Sequence, residues 1–145
     1  MAIEPSELPQ GPLLDLYDYW TGLRKSDALP VWDDIQLADM GTLVPQITVF
    51  DIDLKKRDAY IRFVGTKIIE SQGGDTTGAR LSEMDNMTRV LDRCLAVAET
   101  HDPYFIADQP IVWTHKNFKT YSTLGLPLAD AEGEVNKVIY LMVFA

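Results

Sequence analysis

"QITVFDIDLKKRDAYIRFVG", residues 46–65, is the stretch on which the fold turns. Gln46 to Asp53 is rich in β-branched side chains, and Ala59 to Gly65 is a second extended run of the same kind. Lys55, Lys56, Arg57 and Asp58 lie between them as a turn, whose basic run Lys55–Arg57 reads as solvated. The pattern predicts an antiparallel hairpin. Alternation along its second strand puts Ile61 and Phe63 on one face and Tyr60, Arg62 and Val64 on the other.

Upstream, residues 1–11 read as a flexible lead-in. Pro12 suits a first helical turn, where its missing N–H costs nothing. Leu13, Leu16, Trp20 and Leu23 recur at spacings of three and four, which predicts a helix from Pro12 to about Lys25. That apolar stripe has two possible uses: it covers the sheet of its own chain, or it forms a dimer seam. After "SDALPVWDD", Asp33 or Asp34 is placed to cap a second short helix carrying Ile35, Leu37, Met40 and Leu43, with Pro45 closing it.

Downstream, Thr66–Gln72 reads as a short helix with Thr66 as its cap. "SEMDNMTRVLDRCLAVAETHDP" reads as the longest helix, capped by Ser82 or Asp85 and ended by Pro103. Its apolar face holds Met84, Met87, Leu91, Cys94, Leu95 and Ala98. Three strands follow, over Tyr104–His115, Phe118–Ala129 and Val135–Ala145, with turns at Asn117 and at Asp130–Glu134. Pro110 marks an edge or an irregularity in the first of these. The last is apolar on both faces and belongs in the middle of the sheet. The expected architecture is α+β: one five-stranded antiparallel sheet with short helices on one face and an added N-terminal helical segment. Residues 12–145 are one domain, with 12–44 as a helical cap and 45–145 as the core.

Between the two inner helices lies "GGDTTGARL", Gly73 to Leu81. Ala79 and Arg80 stand where a phosphate loop needs Lys and Ser/Thr, and Asp75 replaces the middle glycine of a dinucleotide fingerprint. The motif reads as a structural turn. Gly73 and Gly74 end a helix in the left-handed region, Asp75 and Thr77 bond nearby N–H groups, and Gly78 turns the chain again.

The 145 residues carry a net charge of -9, which opposes binding to nucleic acid or to anionic membranes. No apolar run is long enough to span a bilayer, and the start lacks the pattern of a signal peptide. One cysteine rules out an internal disulfide framework and fits a reducing, cytoplasmic setting.

"LYDYW", "LR", "LP", "VPQITVFDI", "YIRFVGTKI", "GGDTTGARLSEM" and "YSTLGLPLAD" follow one another at intervals that resemble the bacterial PAS-like family of short domains. The similarity spans roughly residues 14–143. It implies an antiparallel five-stranded sheet cupping short helices, sometimes around a ligand cavity, and it brings no catalytic residue. Gly74 stands where the family's turn carries Arg. Ser122 and Thr123 stand where members often carry an acidic residue, so no charged pocket group is transferred.

Cys94 sits on the apolar stripe of a helix and reads as a buried structural thiol, outside the motif by which some PAS-type domains bond flavin. His101 and His115 belong to no metal-ligating cluster. No cofactor or metal is expected, although a small molecule could enter a cavity among Phe63, Met84, Met87, Leu91, Tyr121 and Met142; the same side chains could equally fill the core. The expected role is a non-catalytic sensory, ligand-binding or protein-interaction module. It works through association, as a homodimer or with other signalling proteins, and through a conformational shift. The rival is a small α+β enzyme such as a thioesterase-like hydrolase, in which Asp75 or Asp102 activates water.

Overall fold

The computed structural model describes residues 3–85, 87–111 and 120–144. One antiparallel sheet contains β1 (Ile47–Asp53), β2 (Asp58–Val64), β3 (Tyr104–Pro110), β4 (Thr120–Ala129) and β5 (Val135–Phe144) in the order β2-β1-β5-β4-β3. The helices are α1 (Pro12–Leu23), α2 (Leu37–Met40), α3 (Thr66–Gln72) and α4 (Thr88–Thr100). The turn expected at Asn117, His115 and the rest of the expected third strand lie outside the described residues.

β5 is central because both of its faces are apolar. Ile139 and Leu141 join Ile47, Val49, Leu124, Leu126 and Leu128 in one core cluster. Val138 and Tyr140 join Phe50, Ala59, Ile61 and Cys94 in a second. Successive side chains on a strand point to opposite faces, so the two clusters lie on opposite sides of the sheet. α1 covers the first and α4 the second. Helices therefore cover both faces: α3 and α4 share one, and the N-terminal segment takes the other.

The hairpin differs from strict alternation at one residue. Val49 pairs with Phe63, but Phe50 pairs with Ile61, so Arg62 is an extra residue in β2. This bulge separates the two side chains that alternation would have kept together. Ile61 enters the α4-side cluster and Phe63 packs against the α1-side cluster.

α1 is anchored by Trp20, which is 2 % exposed and whose indole N–H donates to the Pro127 carbonyl at 2.9 Å. Leu13 and Leu16 are buried with it in the same cluster, while Leu23 is half-buried at the end of the helix. Of the two uses open to the stripe, the structure takes the own-sheet cover, and three of the four seam candidates are occupied within one chain. The lead-in is packed as well. Ile3 and Leu8 are buried in the same cluster, and the Tyr17 hydroxyl donates to the Ile3 carbonyl at 3.0 Å.

The single helix expected after Asp34 is three short pieces: a 3-10 turn at Trp32–Asp34, α2, and a 3-10 run from Gly41 to Gln46 that contains Pro45. Asp34 accepts from the Val31 N–H at 3.2 Å. Thr66 is the first residue of α3, and Gly65 precedes it as the cap. A Cβ at Gly65 would stand 2.4 Å from the Val44 and Pro45 carbonyl oxygens, so only glycine fits this crossing of two backbones.

α4 begins at Thr88, six residues after the expected Ser82. Leu81–Glu83 forms a separate 3-10 turn, Met84 lies outside the helix and Met87 is its N-terminal boundary residue. Ser82 is engaged elsewhere: its hydroxyl donates to Asp58 at 2.6 Å and its N–H at 3.2 Å. At the far end His101 takes a left-handed conformation, φ 64°, and its N–H closes on the Val97 carbonyl.

Candidate functional site

On the α4 side of the sheet, Tyr104 of β3, Gly125 of β4 and Tyr140 of β5 lie side by side across three strands. The glycine creates a notch. A Cβ there would stand 2.8 Å from two ring carbons of Tyr104. The Tyr104 ring leans over that notch, with its centre 5.8 Å from that of Tyr140. The two phenol oxygens are hydrogen-bonded to each other, and Tyr104 also bonds the Thr123 hydroxyl at 2.8 Å. Phe50 meets Tyr140 edge to face at 5.4 Å. Thr123 is fully buried and Tyr140 is 2 % exposed, so this hydroxyl cluster sits inside an otherwise apolar layer.

α4 closes over it. Arg93, half-buried, stacks on Tyr104 at 5.6 Å from the ring centre and reaches its hydroxyl at 3.5 Å. The next residue, Cys94, is fully buried in the same cluster. Burial pushes the Tyr104 hydroxyl up, an effect that its bonds to Thr123 and Tyr140 and the Arg93 charge offset only in part. Tyr140 is pushed well up, first by burial and then by the neighbouring Tyr104. Both phenols are therefore neutral near pH 7 and can both donate and accept hydrogen bonds. Burial likewise pushes the Cys94 thiol up and leaves it a poor nucleophile.

The structure divides the six pocket candidates by face. Met84, Met87, Leu91 and Met142 are half-buried against the α4-side cluster. Tyr121 shares that face, being opposite Phe144 and two residues from Thr123 on β4. Phe63 packs on the other face and does not join them. Reading the sequence missed Arg93, Tyr104, Thr123 and Tyr140. The available signal was Gly125 inside an apolar strand, since a mid-strand glycine marks a close approach by a neighbouring group. A separate cleft of about 430 Å³ lies between the end of α1, its following loop, His101 and the β4–β5 turn. Of the candidate residues only Leu23 lines it.

The Gly73–Leu81 turn is a fastener. Gly73, φ 83°, ends α3 through its N–H to the Ile69 carbonyl. Asp75 accepts from the Thr77 N–H at 2.9 Å and from its hydroxyl at 2.6 Å. Those bonds, the hydroxyl first, hold the Asp75 carboxyl below its ordinary value. Gly78, φ 89°, donates to the Ile61 carbonyl, and the Ile61 N–H donates to Ala79, so the loop pairs with the outer edge of β2. Asp58, the last residue of the expected turn, is buried and secures this loop through Ser82, with Arg80 at 3.5 Å. Burial raises the Asp58 carboxyl, but the Ser82 hydroxyl, the Ala59 and Ser82 N–H groups and the Arg80 charge together bring it below its ordinary value. Among the described residues no group of His, Cys, Asp and Glu is arranged to hold a metal.

A family model described as a PAS domain matches residues 9–143, almost the whole chain. The chain belongs to the PAS domain family. The PAS domain of the BvgS protein of Bordetella pertussis is 16% identical, with a TM-score of 0.53, 76% of this chain and 86% of that one being covered. The PAS domain of the histidine kinase ThkA is 13% identical with a TM-score of 0.51, over 68% of this chain and 99% of its own. A fungal LOV domain photoreceptor is 19% identical with a TM-score of 0.51 and 91% coverage of both chains. At these identities the solved structures share the fold with this PAS domain. No curated protein is significantly similar to it in sequence. The thioesterase alternative calls for a long helix right after the first strand, whereas the long helix of this PAS domain follows a hairpin and a short helix, and Asp75 is exposed and bonded to Thr77.

Proposed function

We propose that this PAS domain is a non-catalytic sensory and interaction module working in the cytoplasm of a bacterium, with the phenol cluster under α4 as its responsive element. The observation that carries this reading is the hydroxyl cluster of Tyr104, Thr123 and Tyr140 in an apolar interface, directly beneath a helix that contributes Arg93. A guest offering its own donor or acceptor competes for those bonds and favours a different seating of α4 on the sheet. A tenfold preference for one seating is worth about 1.4 kcal/mol, within the reach of one or two exchanged hydrogen bonds.

The output is association, as a homodimer or with another signalling protein. Leu14, Tyr17 and Leu23 remain half-exposed on α1 after its buried stripe is satisfied, and they support a contact through that helix. The experiment is sedimentation velocity combined with hydrogen exchange on the intact chain and on Tyr140→Phe, which removes one hydroxyl and keeps the ring. The expected result is faster exchange in α4 together with a changed dimer fraction. Changed exchange at an unchanged dimer fraction would uncouple sensing from association, and a chain that stays monomeric at about 100 μM, an association free energy weaker than roughly -5.5 kcal/mol, would end the homodimer reading.

A further inference from the structure

Besides Arg93 the chain has five arginines; four of them show how it satisfies a guanidinium, and the remaining one, Arg89, is exposed to water. Arg57 pairs with Glu99 at 3.0 Å, Arg62 with Asp51 at 3.5 Å, and Arg80 with Asp58 at 3.5 Å and Glu83 at 3.7 Å. Arg24 donates to the Asp27 and Ala28 carbonyls. Arg93 does neither. Its neighbours are the Tyr104 and Tyr140 phenols, and among the described residues it pairs with no carboxylate, in a chain that has 22 of them. A half-buried planar fork of five N–H donors is left with a stacked ring and the two neutral phenols, the Tyr104 hydroxyl at 3.5 Å and that of Tyr140, with no anion to balance its charge among the described residues.

That deficit has a defined chemistry. A carboxylate matches the guanidinium fork with two parallel N–H···O bonds and accepts an O–H bond from a neutral phenol. One cation balances one negative charge. The ground beside the cluster is apolar: Ile106 on β3 and Met142 on β5 both stand opposite Thr123. Taking the phenol cluster as the ligand-facing element of the module, we infer that the Arg93–Tyr104 corner binds a small organic monocarboxylate, its head on the Arg93 fork and the Tyr104 hydroxyl and its apolar body toward Ile106 and Met142.

The test is a calorimetric and NMR titration of the full chain, in a buffer free of carboxylates, with benzoate and octanoate and with their uncharged counterparts benzamide and octanol. At least one carboxylate should bind and move the resonances of Arg93, Tyr104 and Thr123, with its neutral counterpart on the order of tenfold weaker. Arg93→Gln should weaken the carboxylate on the order of tenfold while leaving the neutral compound unchanged, and Arg93→Lys should restore part of the loss. A thermal melt of each variant separates lost binding from lost folding. Equal binding of charged and neutral partners, or binding indifferent to Arg93→Gln, would end the anion assignment while leaving the sensory site in place. No carboxylate binding up to about 10 mM would also overturn it. The sedimentation and exchange measurements on ligand-free protein judge the sensory reading separately.

Discussion

Asp58 is a buried carboxylate with four favourable interactions from Ser82, Ala59 and Arg80, and its behaviour with pH follows from them. Its folded value lies below its unfolded one, so over that interval the unfolded chain binds more protons. The stability it contributes is fully present above the unfolded value of about 3.9 and is lost as pH falls through the folded value. Ser82→Ala removes the 2.6 Å hydroxyl bond and brings the folded value closer to the unfolded one. The variant should be less stable by about 1 kcal/mol at pH 7, and its stability should fall less steeply below about pH 4. Urea midpoints of both proteins across that range check this, and parallel curves would contradict it. This residue was the least legible in the sequence. "KKRD" has the composition of a solvated turn, and only the pairing of a loop some twenty residues further on buries its last member. The Tyr104–Gly125–Tyr140 ladder was hidden for the same reason, since it depends on the register of three strands.

Elements were readable where one period dominated. The stripe of α1, the hairpin and the two-faced pattern of β5 all follow from apolar spacing. The start of α4 did not, because Met84 and Met87 extend the apolar pattern backward over residues that Ser82 and Asp58 hold in another path. The bulge at Arg62 was equally invisible: one inserted residue changes no composition, yet it moves Phe63 to the opposite face from Ile61. α1 is fastened by Trp20 more than by its helical propensity. Trp20→Phe deletes the indole bond to Pro127 and leaves part of a fully packed site empty. The expected loss is about 2 kcal/mol, read from the urea midpoint. A loss within about 0.5 kcal/mol would show that α1 is held mainly by other contacts.

At the scale of the molecule, we propose that the helical cap (residues 12–44) and the core (residues 45–145) fold as one unit. The cap covers Leu124, Leu126, Leu128, Ile139 and Leu141, all essentially inaccessible. A fragment of residues 45–145 would present that face to water, and it should elute from a sizing column as aggregate. A folded, monodisperse fragment would make the cap dispensable. The α+β class was legible because it needs only the types and order of elements; the closing of both faces was not, because an apolar stripe does not name the surface it covers. The two rims of the sheet are blunted in different ways. Beyond β2 the Gly78–Ala79 backbone occupies the positions another strand would take. On β3 the register slips between Ile106 and Gln109, Asp108 turns left-handed at φ 55°, and Pro110 lacks an N–H. Among the described residues neither border offers a clean row of amides to an incoming chain, which disfavours lateral pairing with another strand. A partner of the kind proposed would then dock side chain to side chain, a mode in which one substitution can redirect partner choice without unravelling the fold.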